Sequence, residues 1–205
     1  MQIIKESDKN AVDIAYEFLR AGKIISFAAD TVYGLAVDAS NSKAIDDLYK
    51  VKNRDEKKPI AIFVKDLEAA KNIFFFDEQA TKIAEKFLPG SLTLVLQKNP
   101  KASLFLAQNL NNKDDEFLGF RIVDREFIKK LLEKFDGNLA VTSANPSSLE
   151  SAIRAEEVIK YFQNSKVNLL IDGGECVLKV ASTVIKIFNK KITVLRQGLI
   201  NISNL

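Results

Sequence analysis

The side chains that could do chemistry in this chain of 205 residues are cationic and hydroxylic, and none is an imidazole. Lys52-x-Arg54 sets a compact ammonium beside a planar guanidinium fork, a combination suited to the oxygens of a polyphosphate, although the segment taken alone reads first as a solvated turn. Ser143-x-Asn145 offers a hydroxyl and an amide just before Pro146. A helix starting at that proline would leave backbone N–H groups facing an anion. Asp30-Thr31-Val32-Tyr33 gathers a carboxylate, a hydroxyl and a phenol in one bend, and Arg121 stands at the end of an apolar run, where an unpaired buried guanidinium would be costly. Ser182 and Arg196 flank the last apolar segments.

The lack of histidine excludes Ser-His-Asp and Cys-His catalysis, histidine-ligated zinc and imidazole acid–base chemistry. A single cysteine, Cys176, excludes an internal disulfide and a multi-cysteine zinc site, and fits a reducing compartment. No run approaches the ~20 apolar residues that span a bilayer, and residues 1–6 lack the apolar core of a signal peptide, so a cytoplasmic location away from membranes is expected. A net charge of +3 implies no polyanion binding over the whole surface. Neither a P-loop nor a G-x-G-x-x-G fingerprint is present.

These side chains need a scaffold. Ala11, Ile14, Ala15, Phe18 and Leu19 recur at helical spacing over residues 8–21, with Gly22 as the closing residue. Strands are expected over residues 23–28, 35–38, 60–64, 92–96, 117–122, 139–142 and 167–171, with helices between them. Ser42 and Asp124 are the expected caps of two of those helices, and Gly137 the expected stop of the second. Residues 182–188 and 192–196 read as a hairpin turning at Asn189-Lys190. Residues 99–116 read as irregular, with the acidic run Asp114-Asp115-Glu116 a solvated loop. The polar clusters, Asp172-Gly173-Gly174 included, each follow an apolar strand, so they are expected to converge outside the strand ends.

Jointly and in order, these segments resemble the YrdC-like family of threonylcarbamoyl-AMP synthases. The matching pieces are Asp30-Thr31-Val32-Tyr33-Gly34-Leu35, Lys52-x-Arg54 with Lys58-Pro59, Pro89-Gly90-Ser91-Leu92-Thr93-Leu94-Val95-Leu96, Gly119-Phe120-Arg121, Thr142-Ser143-Ala144-Asn145, Asp172-Gly173-Gly174, Ser182-Thr183-Val184 and Leu195-Arg196-Gln197-Gly198. The resemblance implies an α+β, three-layer α/β/α fold: one domain over residues 1–205, with a twisted mixed parallel/antiparallel sheet of about seven strands and a basic concave cavity. It implies a nucleotidyltransferase that joins L-threonine, bicarbonate or CO2, and ATP with Mg2+, and releases pyrophosphate. The carbamate formed from the threonine amine attacks the α-phosphate in line, so catalysis rests on positioning and charge stabilisation rather than on a protein nucleophile.

By the same resemblance Thr31, Tyr33, Arg121 and Ser182 hold threonine, while Lys52, Arg54, Lys58, Ser143, Asn145 and Arg196 surround ATP. Lys52, Arg54, Ser143 and Asn145 carry the catalytic role. The short form resembled here would pass its product to a separate tRNA threonylcarbamoyl transferase machinery. Direct RNA binding, as a module in its own right, and a paralogue with altered carbamoyl or adenylate chemistry are the alternative readings. This chain has Ala28-Ala29 where the family usually writes Pro-Thr, and Val123 where a proline follows the arginine strand.

Overall fold

The structure, a computed structural model, describes residues 1–53, 59–111, 116–147 and 149–202. In chain order the elements are β1 (Gln2–Lys5), α1 (Ala11–Arg20), β2 (Ile24–Ala28), β3 (Tyr33–Asp38), α2 (Ser42–Lys52), β4 (Ala61–Phe63), α3 (Leu67–Lys71), α4 (Glu78–Phe87), β5 (Leu92–Gln97), a 3-10 turn (Pro100–Leu104), β6 (Phe117–Arg121), α5 (Glu126–Phe135), β7 (Leu139–Ser143), α6 (Ala155–Phe162), β8 (Val167–Asp172), β9 (Thr183–Phe188) and β10 (Lys191–Arg196). The strands form one mixed sheet in the order β1-β8-β2-β3-β7-β4-β6-β5-β9-β10. It has ten strands among the described residues rather than about seven. One unforeseen strand is β1, four residues with little burial, paired in parallel with β8 at the edge of the sheet.

Side chains alternate across the sheet, and the two faces have different fates. Leu35, Val37, Ile62, Leu94 and Phe120 point to one face and pack with Ile45 and Leu48 of α2, Ile83 of α4 and Val158 of α6. Ile25, Phe27, Ala36, Val141 and Leu169 point to the other and pack with Leu19 of α1 and Ile128 and Leu131 of α5. Helices α1 and α5 pack over the β8-β2-β3-β7 side of that second face, with Phe63 of β4 at the margin of the cluster. Its continuation over β4, β6, β5 and β9 is lined by Ala61, Gly119, Thr93 and Val184 and forms the floor of a cavity.

The helix ends differ from expectation by a residue or so. The α2 cap is Asn41, whose Oδ1 accepts the Ala44 N–H at 3.1 Å, rather than Ser42. Arg125 precedes α5 without a side-chain cap bond, so Asp124 is not its cap. Asp136, in the left-handed region at φ 49°, ends α5 in place of Gly137. The expected hairpin turn is present, with Asn189 and Lys190 both at positive φ (50° and 61°).

Candidate functional site

The site begins with Arg121, the last residue of β6, whose side chain is only 5% exposed. Its Nε donates to the Gly90 carbonyl at 2.8 Å, one terminal nitrogen donates to Thr31 Oγ1 at 2.7 Å, and the other donates to Asp30 Oδ1 at 2.5 Å. The guanidinium also stands 5.9 Å from the centre of the Phe63 ring. Burial pushes its pKa down and the Asp30 carboxylate opposes this, so the group stays a cation. Three of its five N–H donors are committed to the protein, which leaves two for a ligand.

Beside it, Ser182 and Arg196 form a second cluster. Arg196 Nε donates to the Ser182 carbonyl at 2.9 Å, and a terminal nitrogen donates to Ser182 Oγ at 3.0 Å. Ser182 Oγ lies 2.8 Å from Thr93 Oγ1 on β5. Arg196 adds a like charge to the surroundings of Arg121 and thereby helps push its pKa down.

A third cluster joins the end of α2 to the end of β7. Lys52 is buried, and its Nζ donates to the Ser143 carbonyl at 2.5 Å, to Ser143 Oγ at 3.1 Å and to Asn145 Oδ1 at 3.1 Å. Asn145 Nδ2 donates to the Leu149 carbonyl, and Ser147 Oγ donates to the Lys52 carbonyl at 3.0 Å, which staples the loop after β7 to the helix. Among the described residues no helix starts at Pro146, and the next one, α6, begins at Ala155, so the helix N-terminus expected there is not found.

The three clusters border one cavity of about 480 Å³, within the ~300–1,000 Å³ range of small-molecule sites. Thr31, Arg121, Thr93, Ser182, Arg196 and Ser143 line it, and Lys52 and Asn145 bond to Ser143 at its edge. Its location corrects the strand-end expectation. Arg121 is level with Phe63 and so with Leu139, at the start of β7, whereas Ser143 ends β7. The site therefore lies on the sheet face between the two ends, where small floor residues leave room. A Cβ on Gly34 would come within 2.9 Å of Val141 Cγ1.

Tyr33 is brought near but turned away. Its phenol donates to the Gly174 carbonyl at 2.8 Å and accepts the Gly173 N–H at 3.2 Å, and burial raises its pKa. The Asp172-Gly173-Gly174 turn is likewise spent on structure. Asp172 pairs with Lys5, and Arg125 donates to the Gly173 carbonyl at 2.7 Å. Arg54 and Lys58 lie outside the described residues, as do Asp114 and Asp115. Sequence reasoning passed over Thr93, although a threonine amid the leucines of a buried strand was a usable signal. It also left Asp30 without a partner, because nothing local points to a residue 91 positions away.

Residues 17–198 match the model of the Sua5/YciO/YrdC family, described by the words telomere recombination. The chain belongs to this family. A relative from Methanocaldococcus jannaschii is 34% identical over 204 residues, covering 100% of this chain and 93% of its own. The threonylcarbamoyl-AMP synthase of Pyrococcus abyssi is 33% identical over 191 residues, 91% of this chain but 54% of that protein, so this chain spans about half its length. A crystal structure of P. abyssi Sua5 complexed with L-threonine superposes with a TM-score of 0.87 at 30% identity, over 96% of this chain and 57% of that one. The family fold and the three-layer mixed-sheet architecture thus coincide.

Proposed function

We propose that this Sua5/YciO/YrdC chain condenses L-threonine, bicarbonate or CO2, and ATP into threonylcarbamoyl-AMP with release of pyrophosphate, as a cytoplasmic enzyme. The observation that carries the reading is the cavity wall around Arg121, a buried cation with two N–H donors to spare beside Thr31 and Ser182. That arrangement suits an α-carboxylate next to a short hydroxylic side chain. The name of the P. abyssi relative and the threonine bound to its homologous structure support it.

The division of labour follows from charge. Arg121 and Thr31 orient the amino acid, while Lys52, whose ammonium holds Ser143 and Asn145 in place, and Arg196 across the floor set positive charge beside the phosphate oxygens. The carbamate oxygen attacks the α-phosphorus, the bond to the β-phosphate oxygen breaks, and pyrophosphate leaves with the electron pair. No cluster of three metal-ligating side chains occurs among the described residues. Lysine, serine and asparagine donors fit a Mg2+ that arrives on the triphosphate and is held by phosphates and water. That ion would neutralise phosphate charge. The product is a reactive mixed anhydride, and a separate tRNA-modifying transferase is its consumer.

Purified protein supplied with threonine, bicarbonate, Mg2+ and ATP is expected to release pyrophosphate, and Asn145→Ala to abolish the release while circular dichroism is unchanged. Pyrophosphate release independent of threonine would defeat the substrate assignment.

A further inference from the structure

On the cavity wall Thr93 is a buried hydroxyl to which the reaction outlined above gives no task. Both branches of its side chain are placed. A Cβ on Gly119 would come within 3.3 Å of Thr93 Cγ2, so the methyl occupies the space that this glycine leaves. The hydroxyl is turned to Ser182 Oγ at 2.8 Å. A β-branched side chain held on both branches does not change rotamer freely.

The proton count of this hydroxyl pair is constrained by its neighbour. Arg196 reaches Ser182 Oγ at 3.0 Å, and a guanidinium has only donors, so Ser182 Oγ must accept there. Two O–H groups remain, and the bond between Thr93 and Ser182 uses one, whichever atom donates. One O–H is therefore left over, and both residues line the cavity. Arg196, Ser182 and Thr93 form a polarised chain with one net donor to offer to an acceptor in the cavity. Arg121 nearby retains two charged donors, the better match for a carboxylate. The neutral hydroxyl pair is the better match for a neutral oxygen.

We infer that Thr93 is a specificity-determining residue, which with Ser182 donates a hydrogen bond to the side-chain oxygen of the amino-acid substrate and so selects threonine over its apolar isostere valine. This rests on the proposed function. A site that hydrogen-bonds a substrate hydroxyl rejects the analogue lacking it because the protein hydroxyls are then left buried and unpaired.

The test is calorimetric binding of L-threonine and L-valine to the wild-type chain and to Thr93→Val, Thr93→Ser and Thr93→Ala. Thr93→Val keeps the shape and removes the hydroxyl. Ser182 keeps its own O–H in this variant but loses the Thr93 hydroxyl that completes and orders the pair, so threonine binding is expected to weaken by up to roughly 10-fold, the worth of about one such hydrogen bond, with valine binding unchanged or improved. Thr93→Ser and Thr93→Ala lack the same methyl and differ only in the hydroxyl, so threonine affinity retained by the first and lost by the second gives the same answer even if Thr93→Val folds poorly. Equal losses for threonine and valine, or an unchanged preference in every variant, overturn the inference while leaving the functional reading intact. A wild-type chain that binds no threonine overturns both.

Discussion

Removing the Asp30 carboxylate tests whether Arg121 is held as the structure implies. The two side chains are 11% and 5% exposed and meet at 2.5 Å, so Asp30→Ala leaves a guanidinium in a poorly solvated position without its counter-charge. Breaking a buried pair from one side costs roughly 3–5 kcal/mol, because the remaining ion is uncompensated. The Thr31 hydroxyl and the Gly90 carbonyl stay on Arg121 and place the cost near the lower end, ~3 kcal/mol. Against a total stability of about 5–15 kcal/mol this is large, and for a chain of this size it lowers Tm by roughly 6–12 °C. Urea unfolding followed by circular dichroism measures it. The companion variant Asp30→Ala/Arg121→Met removes both charges and is expected to recover most of the loss, since an apolar pair of similar volume often replaces a buried ion pair at little cost. If Asp30→Ala costs under about 1 kcal/mol, or the double variant costs the sum of the single ones, the pairing argument is wrong.

Two further outcomes follow from other contacts. Hydrogen bonds from Lys43 and Lys166 pull the Asp47 carboxyl down from 3.8 to about 2, so its stabilisation is complete above its ordinary value and fades as the pH falls through about 2; Asp47→Asn should be less stable than wild type at pH 7 and converge with it between pH 4 and 2 in acid titrations followed by fluorescence or circular dichroism. At Gly173 an added Cβ would stand 2.2 Å from an Arg125 nitrogen, 2.4 Å from Glu6 Oε2 and 2.9 Å from Ala28 Cβ, so Gly173→Ala should cost roughly 1–3 kcal/mol in thermal or urea melts and loosen the bend after β2; an unchanged melt would show that the network yields without strain.

Much of the architecture was legible because it depends on local period. The stripe over residues 8–21 became α1, and the apolar runs became strands. Misses fell where a neighbour decided. Asn41 and Ser42 are both good caps, and which one closes the helix depends on the side chain that reaches the Ala44 N–H. The four residues of β1 hold no periodic pattern and are a strand only because β8 supplies partners. β4, β6 and β5 were legible as strands, but whether a smaller residue such as Ala61, Gly119 or Thr93 faces a helix or an open floor depends on how far α1 and α5 reach across the sheet.

The amino-acid sequence by itself determined the chemical vocabulary: cations, hydroxyls and amides without imidazole, which excludes whole classes of mechanism before any fold is known. It also put forward Thr31, Arg121, Ser143, Ser182 and Arg196, which the structure brings to one cavity. Only the tertiary structure decided which of them bond to one another. Asp30 to Arg121, Lys52 to Ser143 and Thr93 to Ser182 are pairings across 91, 91 and 89 residues, set by strand order and by the fold of the bend over the sheet, neither of which a local pattern encodes.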